Sequence, residues 1–227
     1  MADPKETPNT RQQAIALCQS QRFPEALAVL QGYCPDHPED NQAWSLLGIL
    51  QANSRDLSGA ESSFRHVLQT FPDLPGAHND LGHVLRLQGR LDAAVEQFQV
   101  ALSMQPEYPE AAYNLALAYN QQGRADAAEQ AYRQALHYRP VFPEAHNNLA
   151  NLLRNRGQGE EALSHYRQAL ESAPGFAEAH ANLAVTLENL HRLDEAREAA
   201  GHALAIEPAH PVAGIVMAQL DRRQGDL

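Results

Sequence analysis

The chain has 227 residues, a net charge of −11 and a single lysine, Lys5; its other cations are arginines scattered among acids. That balance excludes a nucleic-acid binder, which needs clustered cations. The polar start, Met1–Thr10, has no apolar run and reads as neither signal peptide nor anchor, and no stretch is long enough to span a bilayer.

In chain order, the dominant signal is a proline every 34 residues: Pro38, Pro72, Pro106, Pro140, Pro174 and Pro208. Placing each at position 32 defines six repeats, 7–40, 41–74, 75–108, 109–142, 143–176 and 177–210. A flexible stretch, 1–6, precedes them, and a terminal helix or partial seventh repeat, 211–227, follows. A fixed period of this length marks a stacked helical array, in which each repeat buries its apolar face on its neighbours. Within a repeat, helix A opens at a proline (Pro75, Pro109, Pro143, Pro211), where the missing N–H costs nothing. Helix A ends at a turn marked by Gly89, Gly123, Gly157 and His191, and Asp92, Asp126, Glu160 and Asp194 then open helix B, where acids favour exposed N–H groups. The first repeat, with Thr10 and Gln13 at its helix-A core columns, reads as an N-terminal cap.

The columns set in this register have distinct characters. Position 8 is small (Gly48, Gly82, Ala116, Ala150, Ala184), as is position 20 (Ala26, Ala60, Ala94, Ala128, Ala162, Ala196), so paired helices can approach closely. Position 24 is aromatic in four repeats (Phe64, Phe98, Tyr132, Tyr166) and, with leucines at positions 7 and 28, fills the space between repeats. Position 6 of helix A is polar: Asp80, Asn114, Asn148 and Asn182. Asparagine costs a helix about 0.6 kcal/mol relative to alanine, so three copies in one column call for an explanation.

The columns resemble the tetratricopeptide repeat, a 34-residue helix–turn–helix unit, over about 210 residues of the chain. Trp44, Leu47 and Gly48 match its first-helix signature, whereas His78, His146 and His180 stand where that family usually has an aromatic side chain and are expected to pack as flat rings. The resemblance implies an all-α, right-handed superhelical α-solenoid whose concave face is lined by helix-A positions 2, 5, 6, 9, 12 and 13. Ala145-His-Asn-Asn-Leu-Ala150 and Ala179-His-Ala-Asn-Leu-Ala184 are similar to the repeat arm of the O-linked N-acetylglucosamine transferases, where an asparagine ladder holds protein substrates by their backbone. That likeness assigns backbone contact to Asn114, Asn148 and Asn182, with Asp80 keeping only the acceptor half. An amide carries both donor and acceptor and grips a peptide group bidentately. Helices packed 8–10 Å apart would meet an extended strand, rising about 3.3 Å per residue, at roughly every third residue. The alternative is structural: copies left by duplication, or amides bonded to one another or to nearby backbone.

The implied groove adds Asn79, Tyr113 and Asn147 at position 5, His83 and Asn151 at position 9, and Arg86, Asn120 and Arg154 at position 12. Glu110, Glu144 and Glu178 at position 2 form an acidic edge explained by first-turn dipole compensation. A chaperone-carboxylate clamp is excluded, because the lysines it needs are missing. No phosphate loop, Gly-x-Ser-x-Gly or Cys-x-x-Cys is present and no histidine pair has HExxH form, so the sequence reads as a non-enzyme with no cofactor and no metal site. Cys18 and Cys34 read as free thiols of a cytoplasmic protein, with a disulfide between them as the other reading. The expected partner is a protein or extended peptide, not nucleic acid and not a membrane. Two other readings compete with a stand-alone adaptor. One is a substrate-recruiting arm of a larger enzyme (a glycosyltransferase, sulfotransferase or oxygenase) whose repeats continue beyond Leu227. The other is a scaffold that self-associates through end faces near Phe23 or Ile215–Leu220.

Overall fold

The computed structural model describes residues 10–225, so the expected flexible 1–6 and the last two residues of the expected terminal helix or partial seventh repeat, 211–227, lie outside the described residues. The described residues are all-α. Helices A and B of the first three repeats are α1 (Thr10–Gln19) and α2 (Phe23–Tyr33), α3 (Asn41–Asn53) and α4 (Leu57–Thr70), and α5 (Pro75–Leu87) and α6 (Leu91–Met104). A 3-10 turn, Cys34–Asp36, follows α2. The fourth repeat supplies α7 (Pro109–Gln121) and α8 (Ala125–Tyr138). The fifth and sixth supply α9 (Pro143–Asn155), α10 (Gly159–Ser172), α11 (Ala177–Asn189) and α12 (Leu193–Ile206), and α13 (Pro211–Gly225) ends the series. The described residues form two compact units, one up to Gln122 and one from Gly123. In the first, helices A and B pack within each of three repeats, and α5 also touches α3 and α7; in the second, α9 packs on α10 and α11, and α11 on α12 and α13.

Helix boundaries follow the sequence signals closely. The four prolines named above are each the first residue of their helix. Every A–B turn places position 15 in the left-handed region: Gly89, Gly123 and Gly157 at φ 74 to 78°, but also Gln21, Arg55 and His191 at φ 59 to 69°. The geometry is the same in both sets. Arg90 N donates to Leu85 O, Asp56 N to Gln51 O and Arg192 N to Leu187 O, each 2.9 Å, the six-to-one bond that ends a helix on a left-handed residue. Glycine is thus the favoured residue here, and three repeats tolerate strain of about 1–2 kcal/mol that glycine avoids. Asp92, Asp126, Glu160 and Asp194 lie in the first turns of their helices, where they offset the helix dipole without capping it. Side-chain caps come instead from Asp40, which accepts from Ala43 N, and Asp56, which accepts from Gly59 N.

The small column at position 8 proves to be a seat for the aromatic column at position 24. A methyl added to Gly48 would lie 2.8 Å from Phe64 Cζ, and one added to Gly82 would lie 2.7 Å from Phe98 Cε1. Phe64, Phe98 and Tyr166 are fully or almost fully buried. Position 14 forms a latch to the start of helix B in the preceding repeat. Gln88 Nε2 donates to Leu57 O at 3.2 Å and to Glu61 at 3.0 Å, and Gln122 donates to Asp92 at 2.7 Å. In the second unit Arg156 pairs with Asp126 and Glu129, and Leu190 packs over Gly159. Ser54 occupies the same position but is short, and there an apolar pocket of about 390 Å³ opens between Phe23, Leu27 and Leu50.

The position-4 histidines do more than pack. Their Nε2 atoms meet the carbonyl of the register proline six residues earlier: His78 on Pro72 O at 2.9 Å, His146 on Pro140 O at 2.9 Å and His180 on Pro174 O at 3.0 Å. Where Trp44 takes the column, its indole N–H donates to His37 O, and His66, stacked on Trp44, reaches Pro38 O at 2.9 Å. Proline and histidine columns are therefore one device, which ties the loop between repeats to the helix that follows.

Candidate functional site

The polar column on helix A is organised as a repeated relay. In the first unit Asn114 Nδ2 donates to Asn79 Oδ1 at 2.9 Å, and Asn79 Nδ2 donates to Asp80 Oδ1 at 3.3 Å. In the second, Asn182 Nδ2 donates to Asn147 Oδ1 at 3.2 Å, and Asn147 Nδ2 to Asn148 Oδ1 at 3.4 Å. Position 6 of one repeat thus reaches back to position 5 of the repeat before, which holds its own neighbour at position 6. The 34-residue period produces the match, because it stacks equal positions on successive A helices. Asn79 and Asn147, at 7% and 2% exposure, are buried supports of the relay, whereas Asp80, Asn114, Asn148 and Asn182 are partly exposed. Asn114 spends one N–H on Asn79, and an amide carries a second N–H and a carbonyl oxygen besides. Asn182 also accepts from Arg154 NH1 at 3.5 Å, so the fifth repeat orients the sixth repeat's amide.

The charged groups beside the first relay are perturbed by burial. Burial pushes the Asp80 carboxyl up to about 6, with the Asn79 hydrogen bond opposing the shift. His83, one turn on, is held below the usual histidine range by burial and by the charge of Arg86. Tyr108, just before α7, is raised by burial and then by the charges of Asp80 and Glu110. Asp80 forms no ion pair among the described residues.

Other members of the expected groove are placed differently. Asn151 accepts from Tyr166 Oη at 2.6 Å, which anchors a buried aromatic of its own repeat. Burial lifts the Tyr166 phenol to about 12, so this hydroxyl stays a donor throughout the neutral range. His83, Arg86 and Tyr113 are partly exposed on α5 and α7, and Asn120 is exposed near the end of α7. Glu188, at position 12 of the sixth repeat, is buried and pairs with Arg223 of α13 at 3.4 Å.

These repeats have counterparts in a known family. One Tetratricopeptide repeat model matches residues 11–75, 79–140 and 121–175, and a second matches 153–220. The chain is a tetratricopeptide-repeat protein. Solved structures with the same fold include PilW, described as a widely conserved type IV pilus biogenesis factor, at 22% identity and a TM-score of 0.82, covering 95% of this chain and 100% of that one. PilF of Pseudomonas aeruginosa aligns at 17% identity and a TM-score of 0.80, covering 92% and 96%. YrrB, described as a TPR protein with an unusual peptide-binding site, aligns at 23% identity and a TM-score of 0.63, covering 81% and 95%. No curated protein matches the sequence.

This tetratricopeptide array has further features outside the amide column. In the second unit a cleft of about 690 Å³ is lined by residues of α8, α9 and α10, with His146 and His165 among them and their Nδ1 atoms 3.0 Å apart. At the two expected end faces, Phe23 is 50% and Ile215 58% exposed, but Val216 and Leu220 turn inward and are buried. Cys18 and Cys34 are free thiols, and burial pushes Cys34 up to about 11, which makes it a poor nucleophile. No described helix is long and apolar enough to cross a membrane.

Proposed function

We propose that this tetratricopeptide-repeat protein holds an extended segment of a partner protein on the helix-A face, using the position-6 amides as backbone-binding rungs. The observation that carries this reading is the relay itself. A side chain that must grip a flexible peptide has to be held in place beforehand, and each position-6 amide is oriented by a buried position-5 asparagine. Beyond the N–H spent on Asn79, the Asn114 amide carries a second N–H and a carbonyl oxygen. The local likeness of Ala145–Ala150 and Ala179–Ala184 to the transferase arm, and the peptide-binding site named for YrrB, favour the same use of the fold. Backbone recognition predicts broad tolerance of partner side chains and therefore a role as an adaptor or recruiting arm rather than a catalyst.

Replacing Asn114, Asn148 and Asn182 together with alanine tests this. Loss of several net hydrogen bonds of about 0.5–1.5 kcal/mol each predicts binding at least tenfold weaker, with helicity by circular dichroism retained and a melting temperature lowered only modestly by the unpaired Asn79 and Asn147. Unfolding of the triple variant, with Asn79 and Asn147 left unsatisfied, would instead assign the relay a structural role.

A further inference from the structure

The two relays differ in one atom of consequence. Each runs from a position-6 amide through a buried position-5 asparagine, but the second ends on the Asn148 amide and the first on the Asp80 carboxylate. The relay needs only an acceptor there, and asparagine supplies one without charge. An ionised carboxylate brings about four acceptor sites, and Asp80 uses one, in a long 3.3 Å bond. The groups around it do not neutralise it. On its own helix, His83 is kept neutral by burial and by Arg86; just before α7, Tyr108 feels the charge of Asp80, with Glu110 adding further negative charge there. A partly buried charge without a counter-ion is costly, and such groups in ligand-facing positions mark function.

We propose that Asp80 selects a basic side chain, lysine or arginine, in the partner segment held on the helix-A face of residues 75–121. This rests on the peptide-holding reading above. The chain's own charge of −11 favours approach of a cationic segment. The carboxyl's rise to about 6 adds a pH signature. A ligand cation binds the ionised form, so selection is strong at pH 7.5 and weakens as pH falls below 6.

The test uses the full chain on arrays of nonapeptides, degenerate except for a central lysine, arginine, glutamine, norleucine or glutamate. Wild type is expected to retain the lysine and arginine sets about tenfold more than the glutamine and norleucine sets at pH 7.5, and clearly less so at pH 5. Asp80→Asn should bind all sets alike, at the level of the wild-type glutamine set, whereas Asp80→Glu should keep part of the preference. Retention without a basic preference in wild type, or the same preference in Asp80→Asn, overturns the selectivity while leaving peptide holding intact. Absence of wild-type binding to every set overturns both.

Discussion

Truncating Phe98 to alanine should destabilise the array by about 3–5 kcal/mol, measured as a lower midpoint of urea unfolding followed by circular dichroism. The ring is 0% exposed and lies against Gly82, so its loss leaves a cavity that two helices cannot close. In a linear array, stability is close to a sum of repeat and nearest-neighbour contributions, so damage at α6 weakens the coupling of its neighbours as well. Gly82→Ala supplies the internal check. In the wild-type background the new methyl meets Phe98 at 2.7 Å, and overpacking outweighs the gain of about 1 kcal/mol in helix propensity. In the Phe98→Ala background the clash is gone, and the same substitution should stabilise by about 1 kcal/mol. A sign reversal between the two backgrounds is the mark of direct contact in a double-mutant cycle. Additive effects would show that the glycine column is not there to seat the aromatic.

The second large effect concerns Asp80 and pH. Its carboxyl is raised in the folded state from 3.8 to about 6, so its contribution to stability is fully present below pH 4 and is lost as pH rises through 6. At pH 7.5 the ionised group opposes folding by about 2 kcal/mol after allowance for solvent screening. Asp80→Asn removes that penalty while retaining the acceptor that Asn79 needs. The variant should be more stable than wild type by about this amount at pH 7.5, and the difference should shrink through pH 6 to 4 and vanish below it. The histidines run the other way. His83, His165 and His180 are held below the usual range by burial, so their contribution is present above pH 6.5 and falls as the pH drops. They act in both proteins, and the difference between the two unfolding curves isolates Asp80. A side chain that weakens the free protein where asparagine would not is the pattern expected of a residue kept for binding.

Much of the fold was legible because it is written in one period. The 34-residue register matches the spacing of successive helix pairs, and the prolines marked the first residues of four A helices. Four of the six left-handed turns were equally plain, three marked by glycine and one by His191. Gln21, Arg55 and His191 adopt the same backbone without glycine, because the neighbouring helices impose the turn on whatever residue stands there. The sequence read the position-4 histidines as flat packing rings, and their bonds to the register prolines were hidden, since a backbone carbonyl leaves no mark on composition. The site was legible only in outline. Period placed Asp80, Asn114, Asn148 and Asn182 in one column, but the partners of each amide are set by tertiary packing. That packing buries Asn79 and Asn147 as supports and commits Asn151 to Tyr166, while Asn114 spends one N–H on Asn79. The raised carboxyl of Asp80 likewise comes from tertiary burial.

The most direct measurement is a titration of the isotope-labelled full chain with an array-selected nonapeptide, following the asparagine side-chain amide resonances by NMR. Holding the partner backbone on position 6 predicts saturable shifts of the Asn114, Asn148 and Asn182 Nδ2 resonances, larger than those of His146 and His165 in the second-unit cleft. Shifts confined to that cleft, or to the exposed side chains Phe23 and Ile215, with the three amides unmoved, would contradict it.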